Sequence, residues 1–195
     1  MEIATIKLDD GREIGIAPVE PHEAMRLAEG CQELSGVRAW WRSAMLVSAV
    51  RTIDGIPNPA PRHVKHIEGL VGRFSNRDLK AISEAVDSSP VAEDKITLEL
   101  AELTPVETLR TWAVIGSFEA IPGWVAPAFI AAAVRKIDGD SVSFPATKDE
   151  VRALVERLGV AGMTKASVFM LSNAAAEKAA EPDRVASAKN LVAER

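Results

Sequence analysis

The sequence predicts a mainly α-helical protein with a minor β component, built as two tandem helical modules that each begin with a short strand or hairpin. Three observations predict this architecture: an internal repeat, cap signals at the starts of helices, and an alternating segment around an Asp-Gly turn. The 195 residues suffice for one large domain or two small ones. Their hydrophobic share of 47% and charged share of 26% are typical of a globular chain.

The internal repeat appears when the sequence is compared with itself at an offset of 84 residues. Residues 10–73 then align without gaps with residues 94–157, and 17 of the 64 aligned positions are identical. Unrelated chains of this composition would share roughly four. We therefore expect module 1 over residues 1–88, module 2 over residues 91–177, and a tail helix or frayed tail over residues 178–195.

The helices and strands of each module have their own local signals. Side chains alternate on both sides of Asp9-Asp10-Gly11 and predict a hairpin over residues 3–17, of which copy two keeps only the second strand. A first helix follows in each copy, and in copy two Thr104, Pro105 and Glu107 mark its start. The remaining predicted segments are second helices over 37–53 and 123–137, third helices from 62 and 147, fourth helices from 75 and about 162, and a linker at Asp87–Pro90.

Both second helices are predicted to end on a repeated sequence, Arg-x-Ile-Asp-Gly. Its Asp54-Gly55 and Asp138-Gly139 pairs are turn or cap residues, because glycine can adopt the left-handed conformation that closes a helix. Arg51 and Arg135 then lie at helix C-termini, where a positive charge is favourable. A functional interpretation is also open, in which the two guanidinium groups bind carboxylates of a partner.

Composition and charge exclude several classes of protein. A net charge of −5 disfavours a nucleic-acid-binding surface. No apolar run approaches the roughly 20 residues that span a bilayer, and the start Met1–Ala4 does not resemble a signal peptide. The single cysteine, Cys31, suits a reducing compartment. These observations predict a cytoplasmic protein without a membrane or nucleic-acid partner.

Nothing in the sequence points to catalysis, to a metal site or to a cofactor. His63 and His66 lie three residues apart on a predicted helix, a spacing that metal ligands use, but no third ligand shares their face. Cys31 lies on an apolar helical stripe and is expected to be a buried thiol. No nucleophile elbow, Walker sequence or dinucleotide-binding loop occurs. We therefore expect a protein that is not an enzyme.

The second helix of each copy contains the best candidates for partner binding. Trp40 and Trp124 occupy one repeated position and are expected to anchor the core. Trp41 lies about 100° away around the helix and, with Arg42, has the composition of a binding hot spot. Val125 takes the place of Trp41 in copy two. An apolar groove that receives a partner's helix is the expected mode of binding, and packing between the two modules is the alternative.

A family resemblance is carried by short segments of the first copy. The hairpin segment Thr5–Ile14 resembles the start of small phage tail assembly proteins. Val50–Pro57, followed by an amphipathic helix with Leu70–Phe74, is similar to phage and prophage tail assembly chaperones. The resemblance covers residues 3–86 and, through the repeat, residues 94–177.

The resemblance implies a non-enzymatic protein of the host cytoplasm that binds a helical tape-measure protein, or another tail or hub component, during assembly. Two alternatives remain open. One is a structural component of a phage tail or baseplate, and the other is a helical regulatory binding protein unrelated to phage. Self-association is a further open possibility, because the second helix is rich in tryptophan.

Overall fold

The computed structural model describes residues 4–88, 95–117 and 121–193, with side chains for all of these except residues 33, 122 and 173–193. The fold is mainly helical with two small antiparallel sheets, which confirms the predicted class as mainly α with minor β. The elements up to residue 88 are β1 (Ala4–Lys7), β2 (Glu13–Ile16), α1 (Pro21–Cys31), a 3₁₀ turn (Gln32–Gly36), α2 (Arg38–Ser48), β3 (Val50–Ile53), β4 (Ile56–Pro57), α3 (Val64–Val71) and α4 (Asn76–Ser88). Those after residue 95 are β5 (Leu98–Leu100), α5 (Pro105–Ile115), α6 (Pro122–Ala133), β6 (Val134–Ile137), β7 (Asp140–Ser141) and α7 (Lys148–Ala193).

The two sheets share one pattern of strand pairing. The first has the order β1-β2-β3-β4, and its β1–β2 hairpin is the one predicted around Asp9-Asp10-Gly11. The second has the order β5-β6-β7. In the first sheet Ile14 pairs with Ile53, and in the second Leu98 pairs with Ile137. A register shift follows this pair in both sheets.

The repeated Arg-x-Ile-Asp-Gly sequence forms a strand and a hairpin turn. The prediction of helices that continue to residues 53 and 137 is therefore wrong, because α2 ends at Ser48 and α6 ends at Ala133. Val50–Ile53 and Val134–Ile137 are the strands β3 and β6. The physical reason is that β-branched residues before an Asp-Gly pair favour a strand that turns back on itself.

Both Asp-Gly turns have positive φ at their two central residues, as a two-residue hairpin requires. The φ angles are 51° at Asp54 and 76° at Gly55, and 54° at Asp138 and 90° at Gly139. Each aspartate also accepts a hydrogen bond from the neighbouring strand segment, at 2.8 Å from the Glu13 N–H in one turn and 2.8 Å from the equivalent N–H in the other. The positive φ predicted for the glycines is confirmed, but it belongs to a hairpin turn and not to a helix C-cap.

Helix α5 begins where its cap signals predict. The Glu107 N–H donates to Thr104 Oγ1 at 3.2 Å, and the Thr104 N–H donates to Glu107 Oε2 at 2.8 Å. Helix α1 has one of these bonds, from the Glu20 N–H to Glu23 Oε2 at 3.0 Å. The N–H groups of Thr104 and Glu107, which have no acceptor within the helix, are thereby satisfied.

Helix α7 joins the third and fourth helices predicted for copy two. It runs from Lys148 to Ala193 and contains non-helical backbone at Gly159, where φ is 57°. The bend lies before the predicted start of the fourth helix at about residue 162. The expected tail region 178–193 continues α7. The expected linker at Asp87–Pro90 lies partly outside the described residues, and the division at that point stays a prediction.

Buried apolar side chains form two clusters. The first cluster joins the first sheet to α1, α2, α3 and α4, with Ile14, Val47 and Ile82 at its centre. The second cluster is formed mainly by α5, α6, α7 and the second sheet, but it also includes Met25 and Ala28 of α1. Helix α1 therefore supplies side chains to both cores. Within the described residues, no helix has both the length and the apolar character needed to cross a membrane.

Candidate functional site

The histidine and cysteine side chains that could take part in catalysis have structural roles instead. Nδ1 of His63 accepts a hydrogen bond from the His66 N–H at 3.2 Å and so caps the start of α3. Cys31 is buried, and burial raises the pKa of its thiol to about 11, which keeps it protonated at neutral pH. In the described part of the chain, no group of His, Cys, Asp and Glu side chains has the arrangement of a metal site.

A shallow depression of about 290 Å³ lies between the β1–β2 turn and α4. Asp9 and Arg77 in its wall form an ion pair at 2.9 Å. Asp78 caps the start of α4, where it accepts from the Ser75 N–H at 2.8 Å. Small-molecule sites are enclosed and mostly apolar, whereas this depression is open and lined mainly by charged side chains, so we do not place the functional site there.

The two arginines of the repeated sequence bind equivalent glutamates within the chain. Arg51 donates to both carboxylate oxygens of Glu23 at 2.9 and 2.6 Å, and also to the Pro18 carbonyl at 3.1 Å. Arg135 donates to Glu107 at 2.9 Å and to the Ala132 carbonyl at 2.7 Å. The guanidinium groups that the sequence analysis considered for binding a partner therefore bind carboxylates of the same chain. Each arginine links a strand to the start of a helix.

The electrostatics of these glutamates follow from their contacts. Burial acts to raise the pKa of Glu23, but hydrogen bonds from Arg51 and from the Glu20 N–H hold it below the ordinary value. The pKa of Glu107 is lowered mainly by the hydrogen bond from the Thr104 N–H, with Arg135 contributing. Both carboxylates are therefore ionised at neutral pH, as an ion pair with arginine requires.

A helix-in-groove contact joins the two halves of the chain. Helix α1 packs against both α6 and α7, and we call the surface between α6 and α7 the filled groove. The outer face of α1, defined by Met25 and Ala28, is fully buried there. A Cβ atom built on Gly123 of α6 would lie only 2.9 Å from the Ala28 Cβ. Glycine at this position is therefore what allows the two helices to approach so closely.

Two polar and aromatic contacts complete the filled groove. Arg152 of α7 donates from Nε to Glu29 of α1 at 3.0 Å. The same guanidinium lies over the ring of Trp124, 5.6 Å from its centroid. Trp124 itself is fully buried. The filled groove thus receives an apolar face of α1, as in helix-in-groove recognition, and adds a cross-helix ion pair.

The counterpart of the filled groove, 84 positions earlier in the chain, lies between α2 and α3, and we call it the open groove. Trp40 stands where α6 has Trp124, and it is only partly buried. Val37 is 50% exposed, whereas its counterpart Ile121 is buried. Val71 is partly buried, whereas its counterpart Val155 is fully buried. Helix α4 packs on α2, but no helix of the described residues packs closely on both α2 and α3 as α1 does on both α6 and α7.

Helix α5 presents the counterpart of the outer face of α1. Leu109 stands where α1 has Met25 and is 70% exposed, and Trp112 stands where α1 has Ala28 and is 39% exposed. We call these two residues the outer face of α5. Trp112 packs edge-on against Phe129 of α6, with ring centroids 5.0 Å apart, which fixes its position on the surface.

The structure places the remaining predicted site residues at different points. Trp41 is partly buried against both cores, and its Cζ2 atom lies 3.9 Å from a Cβ built on Gly123. Val125 of α6, two residues after Gly123, is also partly buried. Arg42 is exposed, and its Nη2 lies 3.5 Å from Ser83 Oγ. Trp41 thus lies where the two cores meet. This position fits the alternative of packing between the two halves of the chain.

The residues of the filled groove were missed in the sequence. Met25 and Ala28 belong to a helix whose Leu27 and Cys31 face its own core, so α1 carries two apolar stripes. Two stripes on one helix are a readable signal that it packs on both sides. The role of Gly123 has no such signal, because it depends on how closely another helix approaches.

Comparison of the chain with protein-family models, curated proteins and solved structures returns no match.

Proposed function

We propose that the chain consists of two tandem modules related by the offset of 84 residues, with boundaries near residues 1–88 and 91–177. The support is the agreement of element positions: α1 and α5 begin at Pro21 and Pro105, and β3 and β6 begin at Val50 and Val134. The two arginine–glutamate pairs and the two Asp-Gly turns recur at the same offset. A chain without an internal duplication would have no reason to repeat these contacts at a constant offset.

The function that this geometry supports best is non-enzymatic binding of a helical protein partner in the open groove. The observation that carries the proposal is the contrast between Trp124 and Trp40. The first lies under α1 in the filled groove and is fully buried, whereas the second lies on the open groove and is partly exposed. The filled groove is thus a template, within the same chain, for how a partner's helix lies between α2 and α3.

The most specific form of the proposal is a phage or prophage tail assembly chaperone that acts in the host cytoplasm. Its client is then an apolar helix of the tape-measure protein or of another tail or hub component. The resemblance of Val50–Pro57 and Leu70–Phe74 to such chaperones supports this identity. The alternatives are a structural component of the tail or baseplate and a helical regulatory protein unrelated to phage.

A charged side chain in the open groove tests helix binding. Val37 is the N-cap of α2, where aspartate is a favoured residue, so Val37→Asp places a charge in the groove without weakening the helix. We expect it to reduce capture of the purified tape-measure protein of the same phage or prophage by about tenfold or more. The matched control is Val168→Glu on α7, which is 63% exposed and lies outside the groove.

Equal capture by Val37→Asp and Val168→Glu would show that the open groove is not the client site. Mass spectrometry of purified particles then separates the chaperone from a structural component. A chaperone is absent from the mature particle, whereas a tail or baseplate component is present in fixed stoichiometry.

A further inference from the structure

The outer face of α5 and the open groove are the two uncovered halves of a contact that the chain already makes once. In that contact the outer face of α1 is the ligand, and the filled groove is the receptor. Leu109 and Trp112 are the counterparts of the ligand residues Met25 and Ala28. Met25, Ala28 and Trp124 are fully buried in the internal contact, whereas Leu109 is 70% exposed, Trp112 is 39% exposed and Trp40 is partly buried.

We infer that the outer face of α5 in one copy of the chain binds the open groove of a second copy. The inference rests on the helix-binding groove proposed above and names a ligand that the chain itself carries. In the described residues α5 packs on α6 and has no comparable packing on α2 or α3, and Leu109 on its outer face is 70% exposed. The contact joins two different surfaces, and such heterologous contacts build rings or open filaments.

Charge complementarity supports this second contact. Inside the chain, Glu29 of the ligand helix pairs with Arg152 of the receptor. In the second contact the counterpart of Arg152 is Glu68, which is exposed on α3 of the open groove. The ligand helix offers Arg110, which is exposed on α5 one turn before the counterpart of Glu29. An arginine–glutamate pair can thus form with the charges exchanged between ligand and receptor.

Side-chain size makes the second contact looser than the first. The internal contact brings Ala28 against Gly123, whereas the second brings Trp112 towards Ala39. Larger side chains at the crossing point require wider helix spacing, within the usual range of about 8–10 Å. The loss of close packing weakens binding, and we therefore expect an association that depends on protein concentration and not a permanent oligomer.

Two variants separate the two sides of the contact. Leu109→Glu places a charge on the outer face of α5 and keeps a good helix former at an exposed position. Val37→Asp disables the open groove. In sedimentation equilibrium of the full chain, we expect the wild type to associate with rising concentration and each variant to stay monomeric. An equimolar mixture of the variants must form a dimer that grows no further, because one intact face and one intact groove remain.

A charge exchange gives an independent readout. We expect Arg110→Glu to weaken association by about fivefold and addition of Glu68→Arg to restore it, since the pair is re-formed with reversed sign. Val168→Glu is the control and leaves the association unchanged.

The outcomes also distinguish this inference from the proposed function. A wild-type chain that is monomeric at every concentration, while Val37→Asp still abolishes client capture, overturns the inference and leaves the helix-binding function standing. Association that Leu109→Glu abolishes but Val37→Asp leaves intact indicates a symmetric contact between α5 faces, and this also overturns it. If Val37→Asp changes neither association nor client capture, both proposals are wrong.

Discussion

Trp40 and Trp124 occupy the same position in α2 and α6, 84 residues apart, yet only Trp124 is fully buried. Helix α1 packs on both α6 and α7 beside Trp124, whereas no described helix packs closely on both α2 and α3 beside Trp40. The surface between α6 and α7 is therefore filled by a helix of the same chain, whereas no described helix fills the surface between α2 and α3.

The first prediction concerns the Asp-Gly hairpin turns. Gly139 has a φ of 90°, so Gly139→Ala is expected to lower the free energy of unfolding by about 1 kcal/mol, measured by urea denaturation. Gly69 is the control, because it lies in α3 and a Cβ there meets no atom within 4 Å. Gly69→Ala should instead stabilise the protein, by up to about 1 kcal/mol. The turn assignment fails if both variants shift stability in the same direction.

The second prediction concerns pH and the Glu23–Arg51 pair. The folded-state pKa of Glu23 lies below its ordinary value, so its contribution to stability is present above the unfolded pKa of about 4.3 and is lost as the pH falls through the folded value. Glu23→Gln should cost about 1 kcal/mol at neutral pH, and the difference from wild type should shrink below about pH 4. Thermal denaturation at several pH values measures this, with the exposed Glu156→Gln as control. A difference independent of pH contradicts the ion-pair explanation.

The third prediction separates Trp41 from Arg42. Trp41 is partly buried against both cores, so Trp41→Ala is expected to lower the free energy of unfolding by about 2–3 kcal/mol. Arg42 is exposed, so Arg42→Ala should change it by less than about 0.5 kcal/mol. Chemical denaturation measures both. If Trp41→Ala is as stable as wild type but loses client capture, Trp41 is a partner-binding residue, as its position next to Arg42 predicts.

The fourth prediction concerns the close approach of α1 and α6. A Cβ on Gly123 would lie 2.9 Å from the Ala28 Cβ, so Gly123→Leu should overpack the contact and cost about 1–3 kcal/mol. Ala39, its counterpart in α2, is exposed, and Ala39→Leu should change stability by less than about 0.5 kcal/mol. Equal effects of the two substitutions would mean that α1 does not lie against α6 as described.

Local signals in the sequence predicted much of the secondary structure. The hairpin around Asp9-Asp10-Gly11 and the cap at Thr104 could be identified because their signals lie within a few residues. The strands β3 and β6 were predicted as helix because a short apolar run has no decisive periodicity, and Asp-Gly stops a helix as readily as it turns a hairpin.

The candidate site was less accessible to sequence reasoning. Arg51 and Arg135 were recognised as a repeated feature, but their glutamate partners lie 28 positions away and are identified only by the fold. The open groove depends on which helix covers which surface. That is a property of how the two halves pack, and neither copy encodes it locally.

The asymmetry between the two outer helix faces is tested most directly by one pair of substitutions, Met25→Ala and Leu109→Ala. Both are measured by urea denaturation at a protein concentration low enough to suppress self-association. Met25 is fully buried in the filled groove, so its loss should cost about 2–4 kcal/mol, whereas loss of the 70%-exposed Leu109 should cost less than about 0.5 kcal/mol. Equal costs, or a larger cost at Leu109, would contradict the account of one filled and one open groove.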